Sequence, residues 1–101
     1  MILHTIRYLD EHLQGHIDFA TFHLLAVIPR GEMHPVVILV PRYANEPQNF
    51  NLQVGTKSLW FGSLDNMLHA AKEYYHINNA LIWYCRRRYT VLQKQIRTKA
   101  R

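Results

Sequence analysis

Ala80-Leu81-Ile82-Trp83-Tyr84-Cys85-Arg86-Arg87-Arg88-Tyr89 decides the fold of this chain, because it reads in two ways. By composition it is extended: Ile82, Trp83 and Tyr84 all favour strands, and such a strand would end near Cys85. By periodicity it is helical. At about 100° per residue, Leu81, Ile82, Cys85, Tyr89, Leu92 and Ile96 share one arc, while Arg86, Arg87, Lys94, Arg97 and Arg101 gather on the opposite arc beside Trp83. A strand would place Arg86 and Arg88 on the face of Ile82 and Tyr84, which separates apolar from cationic groups far less well. The expectation is therefore a terminal helix from Ala80 to about Thr98, with a strand ending near Cys85 as the alternative.

Just upstream, Ser63 is placed to cap a helix that runs to about His76. Asp65 sits in its first turn, and Leu64, Met67, Leu68, Ala71 and Tyr75 form its apolar stripe. Asn78-Asn79 interrupts the two helical patterns. Further back the period becomes two. Phe50, Leu52 and Val54 alternate with Asn49, Asn51 and Gln53, and Gly55-Thr56-Lys57-Ser58 turns the chain into Leu59-Trp60-Phe61. Tyr43 to Gln48 reads as a surface loop. Phe19 to Ile28 and Val36 to Val40 read as strands, because Pro29, Pro35 and Pro41 bracket short apolar runs, with Arg30 to His34 turning the hairpin. Val36-Val37-Ile38-Leu39-Val40 is apolar on both faces, which suits a central strand covered on each side. At the start, Ile2, Ile6, Leu9 and Leu13 fall on one helical face and Gly15 is placed to end that helix, although a strand across Ile2 to Leu9 also fits.

Together these predict one α+β domain over residues 1–101: an antiparallel sheet of about four strands, an N-terminal helix, and one or two C-terminal helices. The 101 residues suit a single core, and an apolar share of 49% against 19% charged argues for an ordered chain. A lone Cys85 excludes a disulfide framework within one copy and fits a reducing, cytoplasmic setting. No stretch approaches the roughly 20 apolar residues of a transmembrane segment, and no secretory leader pattern opens the chain.

Charge is the main functional signal. The acids stop at Glu73: residues 1–73 sum to −2, whereas residues 74–101 carry Arg86, Arg87, Arg88, Lys94, Arg97, Lys99 and Arg101 with no acid, a local +7. So one-signed a segment, basic from 79 to 101, points to an anionic partner. Arginine forks to phosphate oxygens and stacks on bases, and aromatics add sequence-tolerant stacking. The expectation is a non-catalytic protein that contacts nucleic acid through those seven cations, with Trp83 and Tyr84 as stacking candidates. The aromatics could equally be core residues, and the tail a solubilising one. A second class is an adaptor or inhibitor docking the same face on an acidic protein, as a monomer or as a homodimer, for which Leu59, Trp60 and Phe61 are the candidate interface. An amphipathic basic helix resting on an anionic membrane is a further, weaker option.

Enzymatic readings have parts but no assembly. A metal-independent ribonuclease could use His69, His76, Tyr89 and the Arg86 to Arg88 run, a histidine moving protons and an arginine meeting phosphorane charge. No spacing brings these together. His4, His12, His16, His23, His34, His69 and His76 are scattered. His12 and His16 have an i, i+4 spacing with Gly15 between them, His16 and Asp18 would share a strand face, and no third ligand is fixed; no metal or cofactor is expected. Cys85 beside Arg86 reads as a buried thiol rather than a nucleophile. Only Ser58 and Ser63 are serines, and no Gly-rich loop follows a strand, which disfavours serine hydrolase and nucleotide hydrolase chemistry.

Overall fold

The computed structural model describes residues 20–96. Its order is β1 (Phe22–Arg30), β2 (Met33–Pro41), a 3-10 turn (Pro47–Asn49), β3 (Phe50–Val54), β4 (Lys57–Phe61), α1 (Leu64–Tyr75) and α2 (Asn79–Gln93). The strands form an antiparallel meander in sequence order, so β2 and β3 are central and β1 and β4 are the edges. The expected α+β class, four-stranded sheet and two C-terminal helices are all present. The expected N-terminal helix, with Ile2, Ile6, Leu9 and Leu13, lies outside the described residues.

The segment that reads two ways is helical. Asn78 supplies the reason at its start: its Oδ1 accepts from the Leu81 amide at 2.9 Å, a side-chain N-cap that commits the next residues to a helix. The helix begins at Asn79 rather than Ala80 and ends at Gln93 instead of near Thr98, since Lys94, Gln95 and Ile96 close it with i→i−3 bonds to Val91, Leu92 and Gln93. The other helix follows expectation closely. Ser63 Oγ accepts from the Asn66 amide at 3.2 Å, and Met67, Leu68, Ala70 and Ala71 are buried. Its end uses a left-handed His76 (φ 57°), with the Ile77 amide reaching back to Ala71 O and the Ile77 side chain buried.

Pro41 ends β2, but β1 runs through Pro29 and β2 through Pro35. Pro29 sits at a register shift between Ile28 and Arg30 on an edge strand, where no ladder donor is needed, so β1 continues to Arg30. The hairpin turn then shrinks from Arg30–His34 to Gly31-Glu32, with Gly31 at φ +63°. The next hairpin turn is likewise two residues, Gly55-Thr56, and Lys57 and Ser58 join β4. Gly55 has φ +62°, a backbone conformation that favours glycine, and a Cβ there would stand 2.8 Å from the exposed His34 ring, which would have to swing aside.

A second register shift, at Leu25, sets the two faces of β1. The extra residue advances the alternation, so that Leu25, Ala26 and Ile28 face the helices while Phe22, Leu24 and Val27 share the other face. The main core lies between sheet and helices: Leu25, Ile28, Val36, Ile38, Val40, Leu52 and Val54 meet Met67, Leu68, Ala71, Cys85 and Leu92. Val37 and Leu39 on the opposite face are also fully buried, which bears out β2 as a central strand covered on both sides.

Candidate nucleic-acid interface

The inner side of α2 is core. Cys85 and Leu92 are buried, and Leu81, Ile82, Tyr84 and Tyr89 pack against the same cluster, with the Tyr89 ring 5.9 Å from that of Phe50. Because the inner side is committed to packing, the outer side presents what the helical period leaves over. Trp83, Arg87 and Val91, at i, i+4 and i+8, stand in one row. Trp83 is 60% exposed and Val91 58% exposed, and the Arg87 guanidinium carbon lies 4.8 Å from the Trp83 ring centroid, a cation–π pair in the open. Together with Tyr84, Arg88 and Thr90 this row lines a cavity of about 500 Å³. Tyr84 is therefore half core and half groove wall, whereas Trp83 offers a bare ring.

The three consecutive arginines have three different settings. Arg86 is exposed and pairs through Nη1 with Asp65 near the start of α1; its own carbonyl accepts from Thr90 Oγ1 at 3.1 Å. Arg87 is exposed over Trp83. Arg88 turns toward the sheet, and its Nε donates to Leu25 O at 2.9 Å. That carbonyl belongs to the extra residue of the β1 bulge, where the ladder is disrupted, so the guanidinium stands in for a missing strand donor. Arg86 and Arg87 thus point their charge outward, while one edge of Arg88 is held by the fold.

Lys94 is exposed just past α2, and with His23, Arg42, Tyr43 and Gln95 it lines a more polar cavity of about 440 Å³. Arg42, whose Nη2 donates to Phe22 O at 3.2 Å, is a cation that sequence reasoning did not single out. Its place beside Lys94 follows from the pairing of Phe22 with Pro41, a contact between distant positions that no local pattern announces. His23 records the result: burial first, then the charges of Arg42 and Arg88, hold its imidazole below the usual histidine range, and its buried Nε2 has no hydrogen-bond partner. Arg97, Lys99 and Arg101 lie outside the described residues.

No family model, curated protein or solved structure matches this chain. The site must be read from its own chemistry. Strand alternation separates the three candidate interface residues: Leu59 and Phe61 pack against the main core, and Trp60, 56% exposed, projects from the other face with its ring 5.8 Å from that of Phe22. His69 is exposed on α1, and His76 forms the helix cap. Among the described residues, no group of three His, Cys, Asp or Glu side chains is arranged to hold a metal ion. Cys85 is buried, and that burial pushes its thiol up to about 11 despite the nearby Arg88 charge. No helix among the described residues is long and apolar enough to cross a membrane.

Proposed function

We propose that this chain is a non-catalytic nucleic-acid-binding protein whose contact surface is the outer side of α2. The observation that carries the reading is the exposed Trp83 ring with the Arg87 guanidinium stacked over it at the mouth of an apolar groove. A bare indole gives an unpaired base a stacking surface worth about 1–3 kcal/mol, and an adjacent guanidinium can meet the phosphate of the same nucleotide. Arg86 and Lys94 extend the cationic track on either side, and Arg97, Lys99 and Arg101 would lengthen it along the sequence. Each phosphate neutralised adds a counterion-release term, so binding should weaken steeply with salt. Single-stranded ligands suit this surface best, because a base held in a duplex cannot lie on Trp83. The buried, protonated Cys85 thiol is compatible with a reducing, cytoplasmic setting.

Fluorescence anisotropy with labelled single-stranded DNA, RNA and duplex DNA over a salt series tests this. The expected result is a single-strand preference with a linear loss of log affinity against log salt, a marked loss on Arg86→Glu/Arg87→Glu, and a loss of about tenfold or more on Trp83→Ala. Folded protein that binds none of the three ligands at low salt refutes it. The second reading is docking on an acidic protein surface. Val91 favours it, since an exposed apolar side chain lining the same groove as Trp83 adds contact area for a protein partner and none for a phosphate backbone. Affinity capture of one acidic partner, unaffected by added nucleic acid and lost on Val91→Glu, would select it.

A further inference from the structure

The paired ends of β1 and β2 meet the end of α2 at the second cavity, about 440 Å³ and more polar than the groove beside Trp83. Pairing of the two strands sets His23 opposite Val40, and the chain stays in register past Pro41, where the Arg42 amide donates to Thr21 O at 3.0 Å. The Arg42 side chain is anchored there as well, its Nη2 donating to Phe22 O at 3.2 Å. Lys94 and Gln95 enter from the last turn of α2, and Tyr43 completes the wall. A helix C-terminus carries bare carbonyls and a negative pole, which disfavours anions. Here the Lys94, Gln95 and Ile96 amides bond back to Val91 O, Leu92 O and Gln93 O, which blunts that pole. Among the described residues no carboxylate lines the cavity. The charges that reach His23 in its wall, from Arg42 and Arg88, are both positive and help to hold its imidazole below the usual histidine range.

We propose that this cavity is a binding site for a phosphate monoester dianion, gripped by the Arg42 guanidinium from the sheet and the Lys94 ammonium from the end of α2. A monoester carries a charge of about −1.5 to −2 near neutral pH and three acceptor oxygens, so it calls for more than one cation. Arg42 brings a fork of donors and Lys94 a compact point charge on a flexible stem. Arg88, held by Leu25 O, adds a third positive charge from outside the wall. The Gln95 amide and the Tyr43 hydroxyl are neutral donors on the same space. A carboxylate or a phosphodiester, each with a single charge, would leave a cation unmatched. The volume falls within the roughly 300–1,000 Å³ of small-ligand sites, which leaves room for part of the group that carries the phosphate. The site shares only Lys94 with the proposed nucleic-acid track and needs no base on Trp83, so it does not rest on that reading. A free phosphate compound and the phosphorylated end of a nucleic-acid strand present the same group to it.

Amide chemical shifts of the full-length protein, followed by NMR as inorganic phosphate replaces chloride at constant ionic strength, test the proposal. The expected result is a saturable shift centred on His23, Tyr43, Lys94 and Gln95. Lys94→Gln, an exposed position that the fold does not need, should weaken it about tenfold, as loss of one charge-assisted contact implies. Lys57→Gln should leave it unchanged, because Lys57 pairs with Val54 at the opposite end of the sheet. A single strand ending in a phosphate is then compared with the same strand ending in a hydroxyl. Tighter binding of the first, reversed by Lys94→Gln, supports the site with a strand end as its source. Saturable inorganic phosphate with equal binding of both strands, or of neither, supports it with a free phosphate compound as its source, and binding of neither strand also refutes the nucleic-acid reading alone. Shifts that fail to saturate, that spread evenly over the surface cations, or that survive Lys94→Gln undiminished would overturn the proposal.

Discussion

Arg88→Met is the most informative single substitution, because the sequence presents three arginines as equivalent and the structure does not. Methionine keeps most of the apolar stem and removes only the guanidinium. What is lost is the part-buried, charge-assisted bond from Arg88 Nε to Leu25 O at 2.9 Å, which ties α2 to the β1 bulge across 63 positions of sequence. A hydrogen bond to a charged group contributes about 1.5–3 kcal/mol, and the bulge carbonyl has no neighbouring strand on which to fall back. The expected loss is about 2 kcal/mol, equivalent for a domain of this size to a fall in Tm of roughly 8–16 °C. Arg86→Met removes an exposed ion pair with Asp65 and should cost no more than about 1 kcal/mol. Arg87→Met removes an exposed cation–π contact and should also cost no more than about 1 kcal/mol. Urea unfolding followed by far-ultraviolet circular dichroism provides the comparison, with an unchanged m-value confirming that only stability has moved. If Arg88→Met loses less than about 0.5 kcal/mol, or if Arg87→Met loses as much as it does, the assignment of separate roles to these arginines is wrong.

Replacing the left-handed His76 by glycine should stabilise the protein by roughly 1 kcal/mol, since only the β-carbon strain at φ 57° is removed; a lower urea midpoint would contradict this. Cys85 should resist a thiol reagent at pH 8 in the native protein and react at once in denaturant. Its folded pKa is raised from 9.0 to about 11, so the contribution of the protonated thiol to stability is complete below about pH 9 and is lost as pH climbs through about 11; a pH-independent stability over that window would refute it. For His23 the sign is opposite. Its folded pKa lies below 6.5, so the unfolded chain binds the proton more readily, and stability present above pH 6.5 falls as the pH drops through the folded value. An NMR titration of the His23 ring should have its midpoint below 6.5, and His23→Gln should flatten the acid limb of the stability profile; a midpoint at or above the ordinary value would exclude the buried, cation-flanked environment.

Much of the architecture is carried by local chemistry. Ser63 and Asn78 each cap a helix with a bond spanning three residues, and Phe50, Leu52 and Val54 alternate because β3 has one face against the core. The helical assignment of residues 79–93 was legible for the same reason: the wheel separates Cys85 and Leu92 from Arg87, and both ends of that separation are used. The strand boundaries at Pro29 and Pro35 were not. A proline reads as a breaker wherever it occurs; the edge position of β1 and a register shift remove the penalty at Pro29, and Pro35 lies just before Val36, the first β2 residue paired with β3.

The candidate site divides in the same way. The basic run follows from residue type, and a period of 3.6 sets the stripe of Cys85 apart from the cations with Trp83 beside them; that the segment is a helix and that the Trp83 ring is bare were decided by the tertiary structure. Which arginine faces outward and which one closes a bulge depends on the Leu25 carbonyl, 63 positions away. Arg42 becomes a neighbour of Lys94 only once β1 and β2 have paired. Local order is set by neighbours within a few residues, which a sequence displays directly. The partners of a buried carbonyl or a desolvated imidazole come from elsewhere in the chain, and only tertiary packing brings them to it.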